Sequence, residues 1–341
     1  KHLFTRSSIF SYSLAGLVSF SVIGIVLSLD VLSSPNKIPG VEYTSLRDKL
    51  ERKGPICDPS FRMSPNNEFT ACTFGSVNSD EFVILFGDSH AEAISFELDK
   101  ALRSANLKGI WIYEIYSGRA ICDTTIFTVD VIRNKNVDSA THCADNFKKA
   151  MSHFPNPAAT IIVNRWTMKY FPISGVIDQP HFYNNRLDCQ ETGPDVEFYP
   201  ISKKGIVSNT LENKKLAIKN FLDALPKNTK NFIIYPIPEV GCDVYKINSQ
   251  VFKKSGKPIE ELSFPIEEYR ERNAFVIKTF NELIFETPNH EGSIYPVFTE
   301  NHFCSFREGE CSIFHEGKPL YLDDDHISDI GAEPLVTSII N

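Results

Sequence analysis

From Glu81 onward the chain alternates short apolar runs with stretches that carry apolar residues at helical spacing, and this alternation constrains the fold more than any other feature. The first run, Glu81 to Phe86, is followed by Ala91 to Ala101, where Ile94, Leu98 and Ala101 line one helical face. The pattern continues with a strand at Gly109 to Tyr116, a helix near Ala144 to Phe154 and a strand at Ala159 to Trp166. Beyond an insertion come a helix at Leu211 to Leu225, a strand at Asn231 to Pro236, a helix at Ile266 to Phe285 and a strand at Ser293 to Phe298. Strands separated by helices predict an α/β architecture: a doubly wound parallel sheet with helices on both faces. The insertion, about residues 167–208, is too long for a simple connection. Its aromatic residues, among them Tyr170, Phe171, Phe182 and Tyr183, set it apart from a disordered segment, and a lid or acceptor platform and a plain surface loop are equally good readings.

The amino-terminal segment is different in kind. No charged residue occurs from Ile9 to Leu29, and a helix of that length is roughly 30 Å long, enough to cross a bilayer. Lys1 and Arg6 precede it and Asp30 follows, so the positive-inside tendency puts residues 1–8 in the cytoplasm, a transmembrane helix at 9–32 and the rest outside. A signal peptide is the competing reading, but its apolar region is usually only ~7–15 residues, and no small-x-small site closes this run. The chain begins with Lys rather than Met, and the segment is read as the last span of a longer membrane protein. Residues 33–79, rich in Pro, Ser, Asn and charge, read as an extracytoplasmic linker with a stapled loop, and residues 80–341 as the globular domain. That topology corresponds to a bacterial inner-membrane protein with its domain in the periplasm. The eight cysteines all lie beyond the span and are even in number, as expected of disulfides in an oxidising compartment. Sequence proximity pairs Cys57 with Cys72, Cys122 with Cys143 and Cys304 with Cys311, leaving Cys189 with Cys242. No paired C-x-x-C points to zinc. A net charge of -8 argues against nucleic acid as a partner.

Two short segments carry chemistry. Leu85-Phe86-Gly87-Asp88-Ser89 ends an apolar run at a turn that opens a helix, so Ser89 is expected at the carboxyl end of a strand, facing the crevice where open α/β sheets bind ligands. A serine hydroxyl is a poor nucleophile until a base takes its proton, and the base works best when an acid fixes its tautomer. His326 and the acids of Asp323-Asp324-Asp325 supply these roles, and any of the three acids is close enough in sequence to orient the ring. Each part also has a plainer reading. Ser89 and Glu92 spell an S-x-x-E capping box, the acids read as a solvated turn or cation site, and His90 reads as a neighbour of the turn.

Taken together, Phe86-Gly87-Asp88-Ser89-His90-Ala91, the cysteine pair Cys304 and Cys311 ahead of Tyr321-Leu322-Asp323, and Asp323-Asp324-Asp325-His326 resemble the SGNH hydrolase superfamily. Within it they are most similar to the SGNH domain attached to acyltransferase-3 membrane proteins, which include O-antigen and other polysaccharide O-acetyltransferases. The resemblance implies a flavodoxin-like fold from about residue 80 and a Ser89, Asp323, His326 triad. It also implies an oxyanion hole from the amides of Ser89 and Gly118 with the side chain of Asn164, although the glycine that usually precedes that Asn is missing. It further implies transfer of an acyl group, acetyl above all, through a serine acyl-enzyme to a hydroxyl of a cell-surface polysaccharide. No cofactor or metal is expected in this domain; acyl-coenzyme A would be the ultimate donor, through an acyltransferase-3 membrane domain. The alternatives are a membrane-anchored carbohydrate esterase and a non-catalytic glycan-binding module using Trp111, Trp166 and the aromatic insertion.

Overall fold

The computed structural model describes residues 69–117, 120–122, 128–130, 143–167, 198–202, 205–206, 208–241, 243–286 and 293–340. By its internal contacts the chain divides into Lys1–Lys53 and Gly54–Asn341, and all described residues belong to the second part. The span at 9–32, the cytoplasmic end and most of the 33–79 linker therefore lie outside the described residues. Among the described residues no helix is long and apolar enough to cross a membrane.

The expected βα units form. Strand β1 (Phe69–Gly75) is followed by β2 (Phe82–Gly87), helix α1 (Ser89–Ser104), β3 (Lys108–Ser117), β4 (Ala120–Cys122) and β5 (Thr128–Asp130). Then come α2 (Cys143–His153), β6 (Ala159–Val163), β7 (Phe198–Ser202), β8 (Gly205–Ile206), α3 (Leu211–Ala224) and β9 (Lys230–Ile234). The chain continues through α4 (Val244–Ser255), β10 (Leu262–Pro265), α5 (Ile266–Phe285), β11 (Ile294–Val297) and α6 (Glu300–Phe303). It closes with β12 (Cys304–Ser305), β13 (Glu310–His315), β14 (Lys318–Pro319) and α7 (Asp329–Ile340).

The main sheet runs β1-β3-β2-β6-β9-β11, with β4 paired to β3. Its pairs β3-β2, β2-β6, β6-β9 and β9-β11 are parallel, and β1 and β4 add to β3 antiparallel. Among the parallel strands the spatial order is second, first, third, fourth, fifth, the flavodoxin-like doubly wound order, whose topological switch lies between β2 and β6. The ligand crevice of such a sheet opens at the carboxyl ends of those two strands, and Ser89 directly follows β2.

Alternation along β2 explains how the sheet is covered on both sides. Val83 and Leu85 pack with Ile94, Leu98 and Leu102 of α1 and with Leu335, Val336 and Ile339 of α7. Ile84 and Phe86 point the other way, into a cluster with Phe147 of α2, Phe221 of α3 and Phe280 of α5. Each fully buried side chain of this kind contributes roughly 1.5–3 kcal/mol, so β2 and α1 are held firmly on either side of the turn between them.

Three features differ from the sequence reading. Strand β1 falls in the segment assigned to the linker, so the sheet begins before Asp80. Its Phe-Thr-Ala-Cys-Thr-Phe-Gly run shows no alternation because both of its faces are covered. Helix α4 and a small sheet of order β10-β13-β12, with β14 beside β13, were not anticipated. The tail of the insertion forms β7 and β8, which join β5 in a third sheet, while residues 168–197 lie outside the described residues. Cys304 is bonded to Cys311 across paired β12 and β13, as expected. Cys72 is disulfide-bonded as well; the Cys57, Cys122, Cys143, Cys189 and Cys242 partnerships rest on side chains outside the described set.

Candidate active site

The turn after β2 is built by Asp88, not by Ser89. Asp88 is the N-cap of α1, where its Oδ1 accepts from the His90 amide at 3.0 Å. Its Oδ2 accepts from the Arg165 amide at 3.0 Å, which ties this turn to the one after β6. One carboxylate thus clamps both sides of the topological switch. The capping-box reading of Ser89 fails because the serine already stands inside the helix, and its exposed hydroxyl is left free to face the crevice. Gly87 is required by close approach: a Cβ there would lie 1.8 Å from the Val163 carbonyl oxygen and 2.9 Å from the Ala91 Cβ. Without that approach, β2 and β6 would not bring Ser89 and Arg165 to the same crevice.

The opposing segment is a closed turn. Tyr321 and Ile327 bridge as an antiparallel pair, and the Leu322 amide donates to the His326 carbonyl at 2.8 Å. Within the turn, Asp323 Oδ1 accepts from the Asp325 amide at 3.1 Å and from the His326 amide at 2.8 Å, an Asx-type arrangement encoded by the Asp itself. The Asp324 carbonyl accepts from the Val240 and Gly241 amides at 2.8 and 2.9 Å, which pins the turn to the loop after β9. Behind it α7 packs closely, since a Cβ on Gly331 would lie 2.3 Å from the Leu320 carbonyl oxygen.

These two turns bring the expected residues together. His326 Nε2 lies 2.7 Å from Ser89 Oγ. On the other side of the ring, Nδ1 lies 2.9 Å from Asp323 Oδ2 and, equally, 2.9 Å from Asp325 Oδ1. The imidazole therefore faces a hydroxyl at one nitrogen and two carboxylates at the other. Asp325 Oδ2 forms an ion pair with Arg165, 3.1 Å from Nε, and stands 3.3 Å from His90 Nε2, while the Arg165 Nε–H donates to Glu239 Oε1 at 3.2 Å. Arg165 Nη2 donates to Glu239 Oε2 at 2.9 Å, and Arg272 Nη2 donates to the same oxygen at 2.6 Å. The side chains of Asp325, Arg165, Glu239 and Arg272 are buried, so their charges are compensated by one another rather than hydrated.

Electrostatics follow from this packing. Burial alone would lower the His326 pKa, but its contacts with Asp323 and Asp325 outweigh burial and raise it above the ordinary histidine range. Burial opposes ionisation of Asp325, yet His326, His90 and Arg165 hold it well below the usual carboxylate value. Asp324 goes the other way, pushed up to about 7 by burial and by the flanking charges of Asp325 and Asp323. For Glu239, burial is overcome by Arg165 and Arg272, which bring it down to about 2.

Of the other expected site residues, Gly118 lies outside the described residues. Asn164 is buried directly after β6, next to Arg165, and so stands at the switch point. Trp111 and Trp166 are both buried, so neither offers a face to a sugar; the Trp166 indole instead donates to the Ile234 carbonyl at 2.7 Å. Sequence reasoning missed Arg165, Glu239 and Arg272, which form one buried chain from three separate segments. Potential metal-donor atoms do converge in two sets, His90 with Asp325 and His326, and Asp323 with Asp324 and Asp325. The Arg165 guanidinium already supplies the positive charge beside Asp325, and Asp323 and Asp325 are both turned toward His326.

A serine hydroxyl thus stands at the switch point of a doubly wound sheet, in contact with a histidine that two acids of the carboxyl-terminal turn flank. The chain belongs to the SGNH-domain family whose members are fused to AT3 domains; the family model matches residues 56–341. No curated protein matches the sequence significantly. Among solved structures, the chain is similar to the periplasmic domain of a lipopolysaccharide acetyltransferase from Salmonella ser. Paratyphi A. That match has 15% identity and a TM-score of 0.47, covering 90% of this chain and 97% of the other. It is also similar to the carboxyl-terminal catalytic domain of a peptidoglycan O-acetyltransferase from Streptococcus pneumoniae, at 14% identity and a TM-score of 0.29, covering 76% and 90% respectively.

Proposed function

We propose that the domain transfers an acyl group, most simply acetyl, through Ser89 to a hydroxyl of an extracytoplasmic polysaccharide such as O-antigen. The observation that carries this reading is the 2.7 Å contact between Ser89 Oγ and His326 Nε2, with carboxylates at the far nitrogen. In the first half-reaction the neutral form of His326, whose share its raised pKa makes grow with pH, accepts the Ser89 proton as Oγ attacks the acyl carbonyl. The tetrahedral intermediate then collapses, and the leaving group departs with the proton from His326. In the second, His326 takes the proton of the acceptor hydroxyl, which attacks the acyl-serine, and Ser89 recovers its proton. The helix α1 amino terminus, with the Ser89 amide, Gly118 and Asn164, would stabilise the oxyanion. The family's fusion to AT3 domains supports a membrane acyltransferase partner that delivers the acyl group from cytoplasmic acyl-coenzyme A, and with it an inner-membrane location and a periplasmic domain.

An esterase would share every residue named and differ only in the second nucleophile, water in place of sugar. The deciding experiment measures acetyl transfer to a surface oligosaccharide against release as acetate, using wild type and Ser89→Ala. Transfer by wild type and not by the variant is the expected result. Release of acetate without transfer would make the protein an esterase, and equal release by both proteins would remove Ser89 from the chemistry.

A further inference from the structure

We propose that Asp325 is a second positioning acid for His326, fixed by the buried Arg165–Glu239–Arg272 chain, so that the imidazole is held by two carboxylates of unlike surroundings. The inference rests on the reading of His326 as the base of this site. Asp323 and Asp325 approach Nδ1 at the same 2.9 Å, but their side chains are 42% and 6% exposed. Asp323 is screened by solvent, and part of its carboxylate is engaged in building the turn through the amides of Asp325 and His326. Asp325 is dry, and its second oxygen forms an ion pair with the Arg165 guanidinium, 3.1 Å from Nε, whose N–H is donated to Glu239 Oε1. A buried carboxylate held by an ion pair on its far oxygen interacts with the ring more strongly than one whose charge is screened by solvent.

The charges of the cluster support the same conclusion. From its own turn His326 faces Asp323 and Asp325, with Asp324 beside those two carboxylates; from α1 it faces Ser89 and, edge-on with ring centroids 5.3 Å apart, His90. Behind Asp325 stand Arg165 from the turn after β6, Glu239 from the loop after β9 and Arg272 from α5. When Asp324 is protonated, as its pKa of about 7 allows at and below neutrality, the guanidiniums of Arg165 and Arg272 oppose the carboxylates of Asp323, Asp325 and Glu239. One negative charge is left in excess. It is cancelled when His326 carries the proton taken from Ser89, so the cluster is electrically closed in the protonated-base state that accompanies the tetrahedral intermediate. The His90 ring is buried, and its Nε2 faces Asp325 Oδ2 at 3.3 Å.

The test is a histidine-ring NMR titration of the full chain with ¹⁵N-labelled imidazoles, for wild type, Asp323→Asn and Asp325→Asn, alongside the pH dependence of kcat. Both substitutions are expected to lower the His326 titration point and move the acid limb of the rate profile to lower pH. Asp323→Asn, in which the buried chain is untouched, should retain a titration point above the ordinary ~6.5. It should also lose much less than the ~10⁴-fold in kcat seen when a triad has only one acid. Should Asp325→Asn fail to fold, the Asp323→Asn titration alone decides. A fall to the ordinary value in that variant, or an unshifted titration in a folded Asp325→Asn, would overturn the proposal. The titration reads the ring directly, so a wild type with no acyltransferase activity would refute the proposed function and leave this inference standing.

Discussion

The division of labour between Asp88 and Ser89 makes opposite forecasts for two adjacent substitutions. Asp88→Ala removes the N-cap of α1, worth about 1 kcal/mol. It also strands the Arg165 amide in a buried turn, at a further ~1–3 kcal/mol. The sum, about 2–4 kcal/mol, corresponds to a loss in Tm on the order of 5–10 °C for a domain of this size. Ser89→Ala removes an exposed hydroxyl that neither caps the helix nor fills the core, so its stability should stay within about 1 kcal/mol of wild type. Its turnover, by contrast, should fall by roughly 10⁶-fold, as when a triad loses its nucleophile. Chemical denaturation and acetyl-ester turnover, measured on the same preparations, read both quantities. If Ser89→Ala lost as much stability as Asp88→Ala while keeping measurable turnover, the serine would be a cap and the reasoning would fail.

Other substitutions test the supports of the site. Gly87→Ala places a methyl group 1.8 Å from the Val163 carbonyl oxygen, so β2 and β6 must separate; both the yield of folded protein and turnover should drop sharply, and a wild-type-like variant would refute the close approach. Asn164→Ala should cost roughly 10²- to 10³-fold in kcat with little change in KM if the side chain is an oxyanion donor; near-normal turnover would remove that assignment. Because the folded Glu239 pKa, about 2, lies below its ordinary 4.5, its stabilisation is present above about pH 4.5 and lost as pH falls toward 2. That difference is on the order of 3 kcal/mol. Glu239→Gln should therefore be destabilised at pH 7, with a flatter loss of stability between pH 5 and 2 in denaturation series; an unchanged acid slope would contradict the buried chain.

The legible part of this fold is the part whose burial is regular. The runs at β2, β3, β6 and β9 are apolar and bounded by turn residues because each lies inside the sheet, and the amphipathic α3 and α5 announce themselves by period. Strand β1 was hidden because Ala71, Cys72 and Thr73 are small or only weakly apolar, while Phe69 and Phe74 alone do not make a pattern. Strands as short as β12 and β14 are defined by the Cys304–Cys311 hairpin and not by local propensity. At the site, Ser89 and His326 were legible only in combination, since each short motif alone also reads as a cap or a plain turn. The roles of Asp88 and Asp325 were not, since three consecutive acids look alike until a turn decides which carboxylates face the ring. Arg165, Glu239 and Arg272 are invisible to patterning for a simpler reason: an isolated charge in a sequence reads as surface, and only tertiary packing reveals that these charges satisfy one another in the interior.

The most direct test of the central claim is capture of the covalent intermediate. The full chain is mixed with an activated acetyl ester, quenched in acid within a turnover, and its peptides are mapped by mass spectrometry. A single acetyl group on Ser89, absent from Ser89→Ala and accumulating when His326→Ala is compared with wild type only to a small fraction, is the predicted result. Acetylation confined to another residue, or wild-type turnover with Ser89 unmodified at every quench time, would contradict it.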